Sequence, residues 1–283
     1  MAATTDAQQH LDAVVPEGVV ARDLGEHGHV EFVETPRRGY TLVDRDGRRR
    51  RLVGVTTALN ALAKPALLRW SETQGARGAI EAVRHGLIDP STVDLDDVAD
   101  IVRANKLGAD AAKKRAADRG LDVHGALEFW CEHRDLPPVT ELRMDARPYL
   151  RGLAMWLLHA DPTPVHVERI VCHPRLRYGG RFDLLCEIGG LRAIVDLKSS
   201  AGGVPYSSAH FQLEAYRAAE EEIGEEPVAQ VLAVGVSPAG EFSAVPCAVP
   251  PGGFEPVMEI YRRELSIQTA TRNHLKAAKE ASA

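Results

Sequence analysis

Cysteine is scarce and scattered in this chain. The four in 283 residues are Cys131, Cys172, Cys186 and Cys247. None forms a C-x-x-C pair, which argues against a zinc ribbon or a clustered iron–sulfur site. Such a pattern fits reduced thiols in an intracellular setting. Long apolar runs are missing too: no stretch approaches the roughly 18 apolar residues of a membrane span. The N-terminus carries no basic-then-apolar leader. The expectation is a cytoplasmic protein, neither secreted by an obvious peptide nor bound to a membrane. Positive charge is not in excess, with 34 Lys and Arg against 40 Asp and Glu, a net charge of −6. A nucleic-acid partner would have to meet local positive charge, with a divalent cation offsetting part of the acid. Internal repeats, low-complexity linkers and a Walker phosphate loop are absent, so neither a solenoid nor a motor is encoded in these residues.

What is present is an ordinary apolar fraction, 45%, enough for a sizeable core. Residues 1–15 are small and polar and are expected to be poorly ordered. The runs HVEFVE, GYTLVD and RRRRLVGV read as strands, with Asp46-Gly47 as a hairpin turn. Arg48 to Arg51 form a basic block that is either a solvated edge or a phosphate contact. Thr57 reads as the N-cap of a helical pattern running to about His85, broken near Pro65. Further helices are expected over Asp94–Lys106, Ala109–His133 and Arg151–His159. VHVERIVCH alternates as a strand. Beyond residue 207 the pattern gives a helix at about Ser208–Ile223, two strands in AQVLAVGV and EFSAVPCAV, and a C-terminal helix from about Pro256. Trp70, Trp130 and Trp156 sit on apolar helix faces and read as core.

Tyr178 to Tyr216 organises the whole: strand, Gly189-Gly190 turn, strand, loop, helix. Asp183, Asp196 and Lys198 lie inside these strands, where an uncompensated charge is costly. Strand alternation puts Ile194, Asp196 and Lys198 on one face and Val195 and Leu197 on the other. A Gly-Gly turn would bring Asp183 next to Asp196 across the ladder. Two adjacent carboxylates repel unless one is protonated or a cation lies between them. A hard divalent cation beside an amine collects the parts for metal-assisted phosphodiester hydrolysis. For an isolated D-x-K, an exposed ion pair is the competing reading.

The D-x-K is not isolated. Gly180-x-x-Asp183, Asp196-Leu197-Lys198 and Gln212-x-x-x-Tyr216, in that order, resemble the PD-(D/E)xK nuclease superfamily, and more narrowly its RecB-type and phage exonuclease branch. Arg119-Gly120-Leu121-Asp122-Val123-His124 is similar to that branch's R-G-x-x-x-H helix, Glu168 to its glutamate on the preceding strand, and VTTALNALAKPALLRW to the opening of phage-type members. The resemblance covers about Val55 to Val236. It implies an α/β fold with a restriction-endonuclease-like core, a mixed central sheet flanked by helices, carrying a largely helical N-terminal elaboration. It also implies one nuclease domain over 16–283: hairpin and helices at 16–160, catalytic core at 161–265, helix and tail at 266–283.

Carried over residue by residue, the resemblance makes Asp183, Asp196, Lys198 and Glu168 catalytic. It gives His124, Asp183, Asp196 and the backbone carbonyl of Leu197 as ligands of Mg²⁺ or Mn²⁺. Gln212, Tyr216, Arg119 and Arg181 become DNA contacts or supports. His124 as a semi-buried structural histidine and Glu168 as a solvent-facing strand charge stay open as alternatives. Glu214 and Arg217 are expected in solvent. Lys113, Lys114, Arg115, Arg175 and Arg177 are candidate channel residues. Some relatives carry an iron–sulfur cluster built on three cysteines after the Gln/Tyr helix; here only Cys247 follows Tyr216, and no cluster is expected. The implied function is a metal-dependent DNA exonuclease of phage replication, recombination or repair. A structure-specific endonuclease and a catalytically silent DNA-binding protein are the alternatives. DNA is the expected partner, with a recombinase, a single-strand-annealing protein or a replication protein as candidates beside it. The sequence sets no oligomeric state.

Overall fold

The computed structural model describes residues 18–33, 39–200, 202–203, 205–224 and 226–281. The expectation of a poorly ordered terminus at 1–15 lies outside them. The chain opens with an antiparallel meander: β1 (Val19–Asp23), β2 (His29–Val33), β3 (Gly39–Val43) and β4 (Arg49–Gly54). The turn between β3 and β4 follows from its residues. Asp44 Oδ1 accepts the amides of Asp46 and Arg48 at 3.1 and 2.9 Å, and Gly47 takes a φ of 75°, where a Cβ would be strained. Strand β1 was not anticipated, because its buried residue Arg22 interrupts the apolar pattern.

Strand β4 runs straight into a short helix, α1 (Val55–Ala58). Gly54, not Thr57, holds the cap position, and no side chain caps the turn. Burial of Val55 at 1% exposure sets the start, so tertiary packing overrides the hydroxyl preference. Helix α2 (Pro65–Arg84) begins on its proline, the residue that can open a helix but not continue one. Helix α3 (Leu95–Ala104) is capped by Asp94, whose carboxylate accepts the Asp96 amide. Then come α4 (Ala109–His133), α5 (Arg147–Ala160), β5 (Thr163–His173), β6 (Tyr178–Ile188), β7 (Leu191–Ser199), α6 (Ser207–Glu222), β8 (Gln230–Val236), β9 (Phe242–Pro246) and α7 (Glu255–Ala281).

Among the described residues these strands form one nine-stranded mixed sheet in the order β1-β2-β3-β4-β6-β7-β8-β9, with β5 also paired to β6. Helices cover both faces. On one, Val123, Leu127 and Trp130 of α4 and Leu153 and Trp156 of α5 pack on Leu184, Val195 and Leu197. On the other, Leu213 and Tyr216 of α6, Val55 of α1 and Met258 of α7 pack on Phe182, Leu185 and Ile194. The alternation expected for β7 therefore holds. Gly189 and Gly190 take φ values of 60° and 77° in the two-residue turn closed by Ile188 and Leu191, the geometry of a type I′ hairpin.

Strand β6 positions the site. Tyr178 and Gly179 pair with β5 on one edge and with Val53 and Gly54 of β4 on the other. Leu184 to Ile188 pair with β7 along that second edge. Residues 180–183 thus lie at a fork between β4 and β7, where the edge of β6 is open.

Glu214 and Arg217 are not in solvent. Glu214 is buried at 1% exposure. It accepts Arg217 Nε and Nη2, both at 2.8 Å, and the Gly252 amide at 2.7 Å. The loop entering α7 covers this face of α6, which a helical wheel drawn on α6 alone could not show.

Candidate active site at the fork of the sheet

The ladder between β6 and β7 ends at Leu184↔Val195. The next opposed pair would be Asp183 and Asp196, and here the strands part. Asp183 uses its side chain where the backbone ladder stops: Oδ2 accepts the Leu197 amide at 2.6 Å. On the other edge, the pairs Arg169↔Phe182 and Val167↔Leu184 leave Glu168 facing Asp183 without a ladder pair of its own. Glu168 has a φ of 48°, a left-handed conformation that a non-glycine residue adopts at a cost and that clusters at functional sites. Both carboxylates therefore come from a local break in regular strand.

Helix α4 brings His124 over this break. Its Nδ1 lies 3.3 Å from Asp183 Oδ1 and 3.9 Å from Glu168 Oε1. One ligand atom from each of His124, Glu168 and Asp183 falls within 4.8 Å of the others. Arg181 Nε holds Glu168 Oε2 at 2.7 Å, and its guanidinium lies over the Phe32 ring. Lys198 Nζ holds Asp196 Oδ2 at 2.5 Å. Asp196 Oδ1 is buried with no hydrogen-bond partner among the described residues. Leu197 has its side chain in the core, so its backbone alone faces the site. Asp196 stands beside the three-residue cluster, not within it.

These groups set one another's protonation. Burial opposes a charge on His124, but Asp183 and Glu168 outweigh it and raise the imidazole to about 10. Burial pushes Asp183 up, and His124, Lys198 and the Leu197 amide pull it below the usual carboxylate range. Asp196 goes the other way. Burial, with the Asp183 charge added, lifts it to about 6 against the pull of Lys198. Lys198 is raised by the two aspartates despite its own burial. Two neighbouring carboxylates are thus pushed in opposite directions, a pattern common at functional sites and found in structural ion-pair networks too.

Gly180 and Tyr216 explain each other. A Cβ on Gly180 would lie 2.4 Å from Tyr216 Cε1, so the ring needs a glycine beneath it. Gln212 Nε2 donates to the Tyr216 hydroxyl at 2.6 Å and fixes that ring one helical turn away. Gly179 makes the same room for Tyr40.

His124, Glu168, Asp183, Lys198, Arg181, Gln212 and Tyr216 all line one cavity of about 900 Å³. Arg119 does not. It points to Asp145 at 3.9 Å and lies over the Tyr149 ring, bracing α4 against the segment leading into α5. Lys114 pairs with Asp118, Arg175 with Glu222 and Arg49 with Glu31. Arg51 of the basic block lines the cavity. Trp130 and Trp156 are in the core, as their spacing indicated, whereas Trp70 is only half-buried on α2. Glu128 lines the cavity one turn beyond His124, with its carboxyl raised by burial and by Glu168. The i, i+4 spacing from His124 was the available signal for it. Tyr40 and Tyr261 reach the same wall from β3 and α7 and carry no sequence signal.

No family model matches the chain, and no curated protein matches it. Several solved structures show a distant likeness, two of them as follows. One is a candidate exonuclease from Eubacterium rectale, with 13% identity, 55% of this chain and 68% of that chain covered, and a TM-score of 0.37. The other is the protein SSO0001, with 12% identity, 54% and 74% covered, and a TM-score of 0.30. Among the described residues no helix is long and apolar enough to cross a membrane. All four cysteines are free thiols.

Proposed function

We propose that this chain is a divalent-metal-dependent deoxyribonuclease that hydrolyses phosphodiester bonds from DNA ends, with a restriction-endonuclease-like core at 161–265 inside one domain. The observation that carries the reading is the fork. There a histidine and two carboxylates converge within 4.8 Å, next to a buried aspartate with one oxygen held by a lysine ammonium and the other without a partner among the described residues.

That donor set suits a hard divalent ion, which prefers carboxylate oxygens and tolerates an imidazole. The unpartnered Oδ1 of Asp196 is an acceptor such an ion would satisfy. His124, Asp183 and Asp196, with the Leu197 carbonyl, would hold Mg²⁺ or Mn²⁺. When bound, the ion supplies Lewis acidity toward a phosphoryl oxygen and lowers the pKa of a water.

The chain's own groups do the rest. Lys198 places a positive charge where charge builds on the phosphate, and its N–H groups orient the attacking water. Glu168, steadied by Arg181, offers a carboxylate that can take a proton from that water. Asp183 ties the site to β7 through the Leu197 amide, so the two halves cannot drift apart. Gln212 and Tyr216 brace the strand that carries Gly180.

The test is digestion of end-labelled linear DNA and of covalently closed circles with Mg²⁺, Mn²⁺ or EDTA. Release of nucleotides from linear DNA, blocked by EDTA and by Asp183→Ala, with circles left intact, is the expected outcome. Absence of any metal-dependent cleavage together with absence of metal binding would sink the reading. Cleavage of closed or branched circles would instead make it a structure-specific endonuclease, and DNA binding without turnover a silent binder. A place in phage-type replication, recombination or repair follows from the same reading and adds no residue to it.

A further inference from the structure

Helix α7 is anchored by its first turns alone. Val257 and Met258 are in the core and Tyr261 packs partly against it. From Arg262 to Glu280 every residue is exposed. At 1.5 Å per residue, the stretch from Tyr261 to Lys279 projects about 27 Å beyond the fold. Surface helices that pack carry an apolar stripe on the inner side. Here the inner side changes character. Tyr261, which lines the cavity, is followed at spacings of three and four by Leu265, Gln268, Arg272, Lys276 and Lys279. These positions share one face of the helix.

The charge on that face has one sign. Between Glu264 and Glu280 the helix has no acidic residue, while Arg272, Lys276 and Lys279 fall in that interval. Arg272 and Lys279 have no carboxylate partner among the described residues. Lys276 meets Glu280 at 3.8 Å in full exposure, a pair worth little in water. Gln268, Arg272, Lys276 and Lys279 line one shallow groove together with Ile267, Thr271 and Leu275. A chain with a net charge of −6 thus concentrates cations on a projecting arm that starts at the cavity wall.

We propose that this face of α7 tracks the phosphate backbone of the DNA that leads into the cavity, with Arg272, Lys276 and Lys279 each contacting a phosphate. The inference rests on the nuclease reading of the fork and adds a substrate-binding surface outside it. Its occupant is set by charge and by continuity with the cavity through Tyr261. A DNA strand advances about 3.4 Å per nucleotide, so the arm spans about eight nucleotides outside the cavity. Its contacts are electrostatic and blind to sequence.

The experiment uses the full chain with the substitutions R272Q, K276Q and K279Q combined, in EDTA, against fluorescent oligodeoxynucleotides of increasing length. Wild-type affinity should rise with length until about eight nucleotides lie outside the cavity, then level off. The triple variant should bind short oligonucleotides as wild type does and lose about tenfold on long ones. Its salt dependence should flatten by about two to three in log–log slope, the loss expected for three phosphate contacts. Arg263→Gln, on another face of the helix, should change neither. Helix content by circular dichroism confirms that the arm is still formed. Unchanged length dependence and slope in the triple variant, with cleavage by wild type intact, overturn the inference and leave the nuclease reading standing. Wild-type protein that neither binds nor cleaves DNA overturns both.

Discussion

Two groups of buried charge lie in this fold, and they are built on opposite plans. Around Glu220, on the far side of β5, one carboxylate gathers three guanidinium groups. Arg22 Nη1 and Nη2 reach Oε1 and Oε2 at 2.5 and 3.2 Å, and Arg169 and Arg192 stand at 3.6 and 3.9 Å. Arg22 also donates to the Ile170 carbonyl at 2.9 Å. At the fork, three carboxylates share His124, Lys198 and Arg181, and Asp196 Oδ1 has no hydrogen-bond partner among the described residues. The first group ties β1 and β5 to α6, and it too holds buried atoms without a hydrogen bond: Arg22 Nε, Arg169 Nη1 and Arg192 Nε. The second turns His124, Glu168, Asp183, Lys198 and Arg181 toward a cavity. Neither buried charge nor an unsatisfied atom alone therefore marks function; convergence on a cavity does.

Substitutions in the two groups should separate these plans. Lys198→Ala should lower the rate of DNA cleavage by about 10²–10³-fold, the usual loss when one preorganised electrostatic donor is removed, with a smaller loss of stability than at Glu220 because Asp196 can take up a proton. Glu220→Gln should do the reverse. Breaking a buried ion cluster costs about 3–5 kcal/mol, read by denaturant unfolding, while cleavage per folded molecule stays as in wild type. Equal effects of both changes on stability would erase the comparison.

Asp196→Asn sharpens it further. The folded carboxyl is lifted to about 6 from its ordinary 3.8, so its charged form burdens the fold above pH 6. Asparagine should raise the stability of metal-free protein at pH 8 by about 1–3 kcal/mol while removing cleavage. The Glu220 group should show no such gain on neutralisation. Gly180→Ala comes next, with a loss of about 1–3 kcal/mol from overpacking against Tyr216. Tyr216→Ala in the same chain should recover part of it.

Solution pH gives the gentlest probe. His124 titrates at about 10 in the fold against 6.5 for the free side chain. Its contribution is complete below 6.5 and is lost as pH rises through 10. Metal-free protein should thus lose melting temperature over that window, and excess Mn²⁺ should oppose the loss. A flat profile would mean that the Asp183–His124 contact does not form.

Much of this was legible in the residues. The Gly189-Gly190 turn fixes a register in which Asp183 and Asp196 are the next opposed pair, and the observed ladder runs up to that pair. Helix α4 keeps the bounds its pattern indicated, because its buried residues Val123, Ala126, Leu127 and Trp130 fall at helical spacing. What could not be read were the contacts that neighbours impose. Glu214 is buried by the loop before α7, β1 is masked by an inward arginine, and the start of α1 is set by the burial of Val55. Nor could the sequence say that Arg119 braces α4 instead of facing the cavity, or that Tyr40 and Tyr261 close its wall. Each depends on an element far away in the chain.

The tight turn between β6 and β7 also bears on time. A two-residue loop with both φ values positive closes early, and hairpins form in about 1–10 μs. Asp183 and Asp196 meet through that local closure, whereas His124 must arrive from a helix about sixty residues upstream, a slower and entropically dearer contact. The hairpin that carries Arg181, Asp183, Asp196 and Lys198 is thus expected to form before His124 docks. Gly189→Ala should accordingly slow refolding, and Leu127→Ala in α4 should chiefly speed unfolding, a division that stopped-flow kinetics in denaturant can measure.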